Sequence, residues 1–148
     1  MRKLIYFLMI ISIVVLSTIP FLPNQSLSYE EVVSQITALE MENMTIQNMN
    51  TCKKNFDFKN LNKDDFLYYL NEDAMDVDEL LLVRTTAMGA DEIVTKMQHR
   101  IDTQKSKFEG YGVIQMEKLN QAKIIPLDDC VLLIISNQDT YLSLGGSL

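Results

Sequence analysis

The densest group of carboxylates in this 148-residue chain is Asp73, Asp76, Asp78 and Glu79. Neighbouring carboxylates can do two kinds of chemistry. They can hold a hard cation through converging oxygens, or a pair can divide acid and base roles in hydrolysis. For a cation such as calcium, the candidate ligands are Asp73, Asp76 and Asp78. Their spacing lacks the alternating ligands, central glycine and distal glutamate of an EF-hand loop, so a solvated hairpin loop is the simpler reading. Asp128 and Asp129, just after Pro126-Leu127, also fit a turn, where Asp bonds its own backbone.

Other chemistries find few residues. His99 is the only histidine, which largely excludes histidine-dependent nucleophilic catalysis and multi-histidine metal binding. Met88-Gly89-Ala90 offers a single glycine and no phosphate-binding loop, and no cofactor is expected. The nine methionines suit the filling of core gaps better than metal binding. Tyr68, Tyr111 and Phe108 are the candidate binding residues, able to line a groove, although aromatics in strands and at helix exits usually pack in the core. Cys52 and Cys130 allow a single intramolecular disulfide, permissible in an exported protein. The alternative is that Cys130 packs in a strand as a small hydrophobe and Cys52 is incidental.

Export is suggested by the start of the chain. Arg2 and Lys3 precede a run from Leu4 to Leu16 broken only by Ser12, the pattern of a signal segment. Ser26 and Ser28 stand three and one residues before a cut ahead of Tyr29. The alternative is a retained membrane anchor over residues 1–28, against which Pro20 and Pro23 interrupt a spanning helix. Ser28 and Glu31 also have capping-box spacing, and cleavage after Ser28 would remove that cap. Beyond residue 28 the chain holds 11 basic and 20 acidic side chains, a net charge of −9. That balance disfavours nucleic acid and peripheral docking on anionic lipid, leaving the N-terminal segment as the only expected membrane contact.

These residues need a scaffold, and the apolar pattern supplies one for a single domain over residues 29–148. Val32, Ile36 and Leu39 predict a helix from Tyr29 to about Glu42. Residues 43–60 read as a connector anchored by Met44, Ile46, Phe56 and Phe58. Phe66 to Leu70 and Asp78 to Arg84 predict a hairpin around the acidic loop. Ala90, Val94, Met97, Ile101 and Phe108 form one stripe of a long helix ending at Gly110 and Gly112, with His99 roughly opposite. A less regular segment through Met116 and Leu119 follows. Ala122 to Ile125 and Cys130 to Ile135 then predict a second hairpin. The expected architecture is α+β: an antiparallel four-stranded sheet of two hairpins, an amphipathic helix between them, an N-terminal helix, and helices on one side. One tension remains, because unbroken aliphatic strands are usually covered on both faces. The N-terminal helix, the tail with Tyr141, Leu142 and Leu144, or a partner must cover the second.

Several stretches together resemble a family of exported bacterial proteins and lipoproteins known as domain of unknown function 4358. They are Asp78-Glu79-Leu80, the helix end Gln104-Lys105-Ser106-Lys107-Phe108-Glu109-Gly110-Tyr111, Leu119-Asn120-Gln121-Ala122, and Val131 to Ser136. The resemblance covers about residues 78–136, with a looser fit through the first helix and Leu61 to Tyr69. It implies a Gram-positive type of envelope and a compact α+β domain, and it brings no activity or catalytic residue. The chain departs from many relatives in lacking a lipid-bearing cysteine, and its tail breaks at Gly145 and Gly146 where relatives continue into a helix.

Two functions follow. The first is a non-catalytic envelope module that binds another protein or a wall component through its sheet face or the groove beside Tyr111; a self-associating structural component is a further possibility. The second is an exported hydrolase working through carboxylates alone. A partly buried carboxylate pair with raised pKa values in a deep cleft would favour the hydrolase. An exposed apolar patch would favour binding.

Overall fold

Two uninterrupted aliphatic runs can bury both faces only in the middle of a sheet, and that is where they lie. The structure, a computed structural model, describes residues 27–138. The N-terminal apolar run with its two fates, and the tail with Tyr141, Leu142 and Leu144, fall outside the described residues. The elements in chain order are α1 (Tyr29–Thr37), β1 (Met44–Ile46), α2 (Met49–Phe56), β2 (Phe66–Asn71), β3 (Glu79–Arg84), α3 (Ala90–Phe108), α4 (Val113–Asn120), β4 (Lys123–Pro126) and β5 (Cys130–Ile135). The strands form one antiparallel sheet in the order β1-β2-β3-β5-β4. Both expected hairpins are present, and β3 pairs with β5 from Glu79↔Ile135 to Arg84↔Cys130.

The expected four strands become five. Residues 43–60, read as a connector, contain β1 and α2. Met44 to Ile46 is too short to show a period, and pairing with Asn71 to Tyr69 makes it a strand. Asn48 caps α2 by accepting the Thr51 N–H, and Asp57 ends it in the left-handed region at φ 53°. The expected N-terminal helix is shorter than Glu42 and ends at Thr37, but its Ser28/Glu31 capping box is complete.

Helices lie on both faces, not one. Leu81, Val83, Val131, Leu133 and Ile135 pack with Cys52 and Phe56 of α2, Ile93, Met97, Ile101 and Phe108 of α3, and Leu119 of α4. Leu80, Leu82, Cys130, Leu132 and Ile134 pack with Tyr29, Val32 and Ile36 of α1 and with Met44. The alternation of strand side chains splits each aliphatic run between the two layers. The N-terminal helix therefore covers the second face. Fully burying each of these side chains contributes roughly 1.5–3 kcal/mol, so both layers are substantial.

Candidate functional site

A charged residue on the buried stripe of an amphipathic helix must be matched or it destabilises the fold. On α3 that residue is Arg100, between Met97 and Ile101. Its Nε donates to both carboxylate oxygens of Glu79, at 3.2 and 3.1 Å. The Tyr68 hydroxyl also donates to Glu79, and Asn55 of α2 donates to that hydroxyl at 2.7 Å. Four elements thus meet at the Glu79 carboxylate. Complete burial raises the Glu79 pKa, against the opposing pull of Arg100 and Tyr68. Burial, followed by the Glu79 charge, likewise raises Tyr68 far above the ordinary phenol.

A second ionic cluster lies beside the first. Lys118 of α4 donates to Asp76 at 2.7 Å and lies 2.9 Å from Asp78 Oδ1. The contact with Asp78 is an ion pair in which that buried oxygen accepts no well-aligned hydrogen bond. Burial opposes the Lys118 charge, but Asp76 and Asp78 outweigh it and hold the ammonium above its usual range. Burial also pushes Asp78 up despite Lys118. It opposes ionisation of the half-buried Asp76 too, yet there Lys118 and the N–H groups of Val77 and Asp78 win, and the pKa falls.

Between the C-terminal half of α3 and the β2–β3 loop is a cleft of about 240 Å³. Arg100, Gln104 and Lys107 line the helix wall; Asn71, Asp73 and Asp76 line the loop wall. Phe108 closes one end and belongs also to a second, wider groove of about 570 Å³ with Tyr111, Val113 and Met116. Two glycines shape that groove. Gly110 has φ 87°, which favours a residue without a side chain. A Cβ on Gly112 would sit 2.8 Å from Phe108 Cβ and Cδ1, so only glycine lets the chain turn this tightly from α3 into α4. The turn leaves Tyr111 66%, Val113 81% and Ile114 62% exposed.

The candidate binding residues therefore separate. Phe108 and Tyr111 meet, with ring centroids 5.9 Å apart, and both line the wider groove. Tyr68 is buried beneath α2, edge-on to Phe56 and bonded to Glu79. Of the candidate cation ligands, Asp76 and Asp78 meet the Lys118 ammonium. Asp73 Oδ1 accepts the Met75 N–H. No group of three His, Cys, Asp or Glu side chains able to hold a metal occurs among the described residues. The disulfide is corrected: Cys52 and Cys130 are free thiols in the packing layers on opposite faces of the sheet, so the strands stand between them. Burial pushes both thiols up to about 12. His99 is exposed, as its place on the helix predicts.

Sequence reasoning missed Arg100, Lys118, Val113 and Ile114. Arg100 had a legible signal, because seven residues after Ile93 and three after Met97 it falls on the buried stripe. Lys118 had none, since its partners are 42 and 40 positions earlier in the chain.

No curated protein and no solved structure matches the chain. A family model does match, over residues 37–136, a span that takes in all five strands and α2 to α4. The chain belongs to the family described as a domain of unknown function (DUF4358).

Proposed function

We propose that this protein is an exported, non-catalytic binding module of the cell envelope, which docks an apolar segment of a partner protein on the α3–α4 corner. One observation carries the reading. Five large apolar side chains are exposed among the described residues: Ile46, Met75, Tyr111, Val113 and Ile114. Four of them stand at this corner, where Gln115 of α4 donates to the Met75 carbonyl at 2.9 Å. Exposed apolar side chains grouped beside a groove that Tyr111 and Val113 line are the usual sign of an interaction site, and the aromatic and methionine content suits a protein partner.

The position of the corner also supports an aqueous partner over the bilayer. The start of α1 is fixed at the Arg84 end of β3, where the Tyr29 N–H donates to Asp129 and Arg84 stacks on the Tyr29 ring. The Met75 corner lies at the Glu79 end, a strand length of roughly 17 Å away. Where residues 1–28 are retained as an anchor, they join the domain at the opposite end of β3 from the patch. The Arg2-Lys3 start and the apolar run after it support export.

The hydrolase reading receives less support. Two carboxylates have raised pKa values, Asp78 and Glu79, but Lys118 holds one and Arg100 with Tyr68 the other. Neither lines the narrow cleft or the wider groove, from which it could reach a substrate. The test is a photo-cross-linker placed at Val113 of the full-length protein in native envelopes, with His99 as the control position. The expected result is one protein cross-linked from Val113 and not from His99, and lost when Ile114→Ser is added. Equal capture from both positions, or cross-links only to a second copy of this chain, would overturn the reading.

A further inference from the structure

The narrower cleft has a feature that the docking corner does not share. Its two walls carry opposite charge, and its helix wall holds polar atoms that make no hydrogen bond among the described residues. Arg100 and Gln104 are each only 9% exposed, and both open on the cleft. Both hydrogen bonds from Arg100 to Glu79 leave from Nε, so the terminal Nη edge of the guanidinium is the part left for the cleft. Gln104 is buried, yet its amide makes no hydrogen bond among the described residues and opens on the cleft. Lys107 extends this donor wall by one helical turn. Opposite stand Asn71 and the carboxylates of Asp73 and Asp76, with Asp76 already committed to Lys118.

From this arrangement we infer that the cleft binds a small zwitterion of the amino-acid type. Its carboxylate meets Arg100 Nη and Lys107, and its ammonium meets Asp73. Three arguments favour that class. A simple anion would face the repulsion of Asp73 and Asp76 across the cleft, and Glu79 already neutralises Arg100 from behind. A simple cation would face Arg100 and Lys107. A zwitterion satisfies both walls at once, and the planar Nη edge suits a carboxylate bidentately. The volume, about 240 Å³, falls below the roughly 300–1,000 Å³ of sites for drug-sized ligands, which limits the guest to about the size of one amino acid. Gln104, between Arg100 and Lys107 on α3, adds a donor and an acceptor to the wall that faces the carboxylate.

Calorimetric titration of the full-length protein with each of the twenty standard amino acids tests this. N-acetyl-alanine, alaninamide and N-acetylglucosamine serve as an anion, a cation and a neutral polyol. The expected result is saturable binding of at least one free amino acid, at least tenfold tighter than any of the three controls. Lys107→Ala and Asp73→Asn should each weaken it by at least about fivefold. Both residues are exposed, so circular dichroism should show both variants folded. Binding weaker than a Kd of about 1 mM for all twenty would overturn the inference. So would equal or tighter binding of a control, or full retention of binding in both variants. Loss of the Val113 cross-link bears only on the docking corner and leaves this outcome untouched.

Discussion

The two ends of β3 each carry a charge pair, and the pairs differ in what surrounds them. At one end Glu79 is completely buried and meets Arg100, whose side chain is 10% exposed. At the other end Arg84 pairs with Glu30, a carboxylate 66% exposed on the first turn of α1. Both pairs join a strand to a helix, so a contact map would treat them alike. The solvent does not. Glu30 keeps most of its hydration and its pair with Arg84 is screened by solvent, whereas nothing but Arg100, Tyr68 and the nearby Lys107 charge compensates Glu79. The sealed end therefore fixes how α2, α3, β2 and β3 meet, whereas at the open end the Glu30 contact adds little to a helix start that the Ser28 cap, Asp129 and the Arg84–Tyr29 stacking already hold.

The largest effect that would sharpen this contrast is expected for Arg100→Met. It strands a buried carboxylate and should cost about 3–5 kcal/mol in urea unfolding. A loss below about 1 kcal/mol would erase the distinction between the ends. Glu79→Gln should cost less, about 1–2 kcal/mol, because Arg100 borders the cleft and can recruit water.

That second variant also carries a pH signature. The folded-state pKa of Glu79 is raised, so between the unfolded value near 4.5 and the folded value the native state holds the extra proton. Native stability from this residue is full below that window and declines as pH rises through it. Glutamine cannot titrate. Relative to the parent, Glu79→Gln should therefore look worst near pH 4 and progressively better toward pH 7 in paired denaturation curves. The opposite trend would mean that Arg100 overrides burial. The smallest effect is expected at the open end, where Glu30→Gln should leave the denaturation midpoint unchanged within error at physiological salt.

Where the fold was legible, the reason was periodicity. The two hairpins, the long helix and the α1 capping box all follow from local pattern, and each is present. β1 was hidden because three residues show no period and only pairing with β2 defines it. α2 was hidden because its eight residues include Asn, Thr and two lysines around the buried Cys52 and Phe56. The helices on both faces were half legible: the continuous runs of β3 and β5 demanded a second cover without naming it.

The candidate site was less legible still. Phe108 and Tyr111 could be read as a groove because the glycines flanking Tyr111 announce a sharp exit. Tyr68 could not be separated from them, since its burial depends on α2, which was unseen. Asp73, Asp76 and Asp78 read as a solvated loop with a cation site as the alternative, and two of them meet a lysine from a distant helix. Long-range pairings of this kind leave no mark on local spacing.

The sheet that keeps Cys52 and Cys130 apart also gives the molecule two native reporters. Each thiol sits in a different layer, fully shielded, and each is neutral at physiological pH because burial suppresses the thiolate that alkylating reagents require. Labelling of Cys52 thus records departure of α2 from the sheet, and labelling of Cys130 records departure of α1. The ratio of the two rates would show whether the layers open together or singly. A partner seated on the α3–α4 corner would enter that ratio through Cys52 alone, so the protein already contains an internal standard for watching itself being bound.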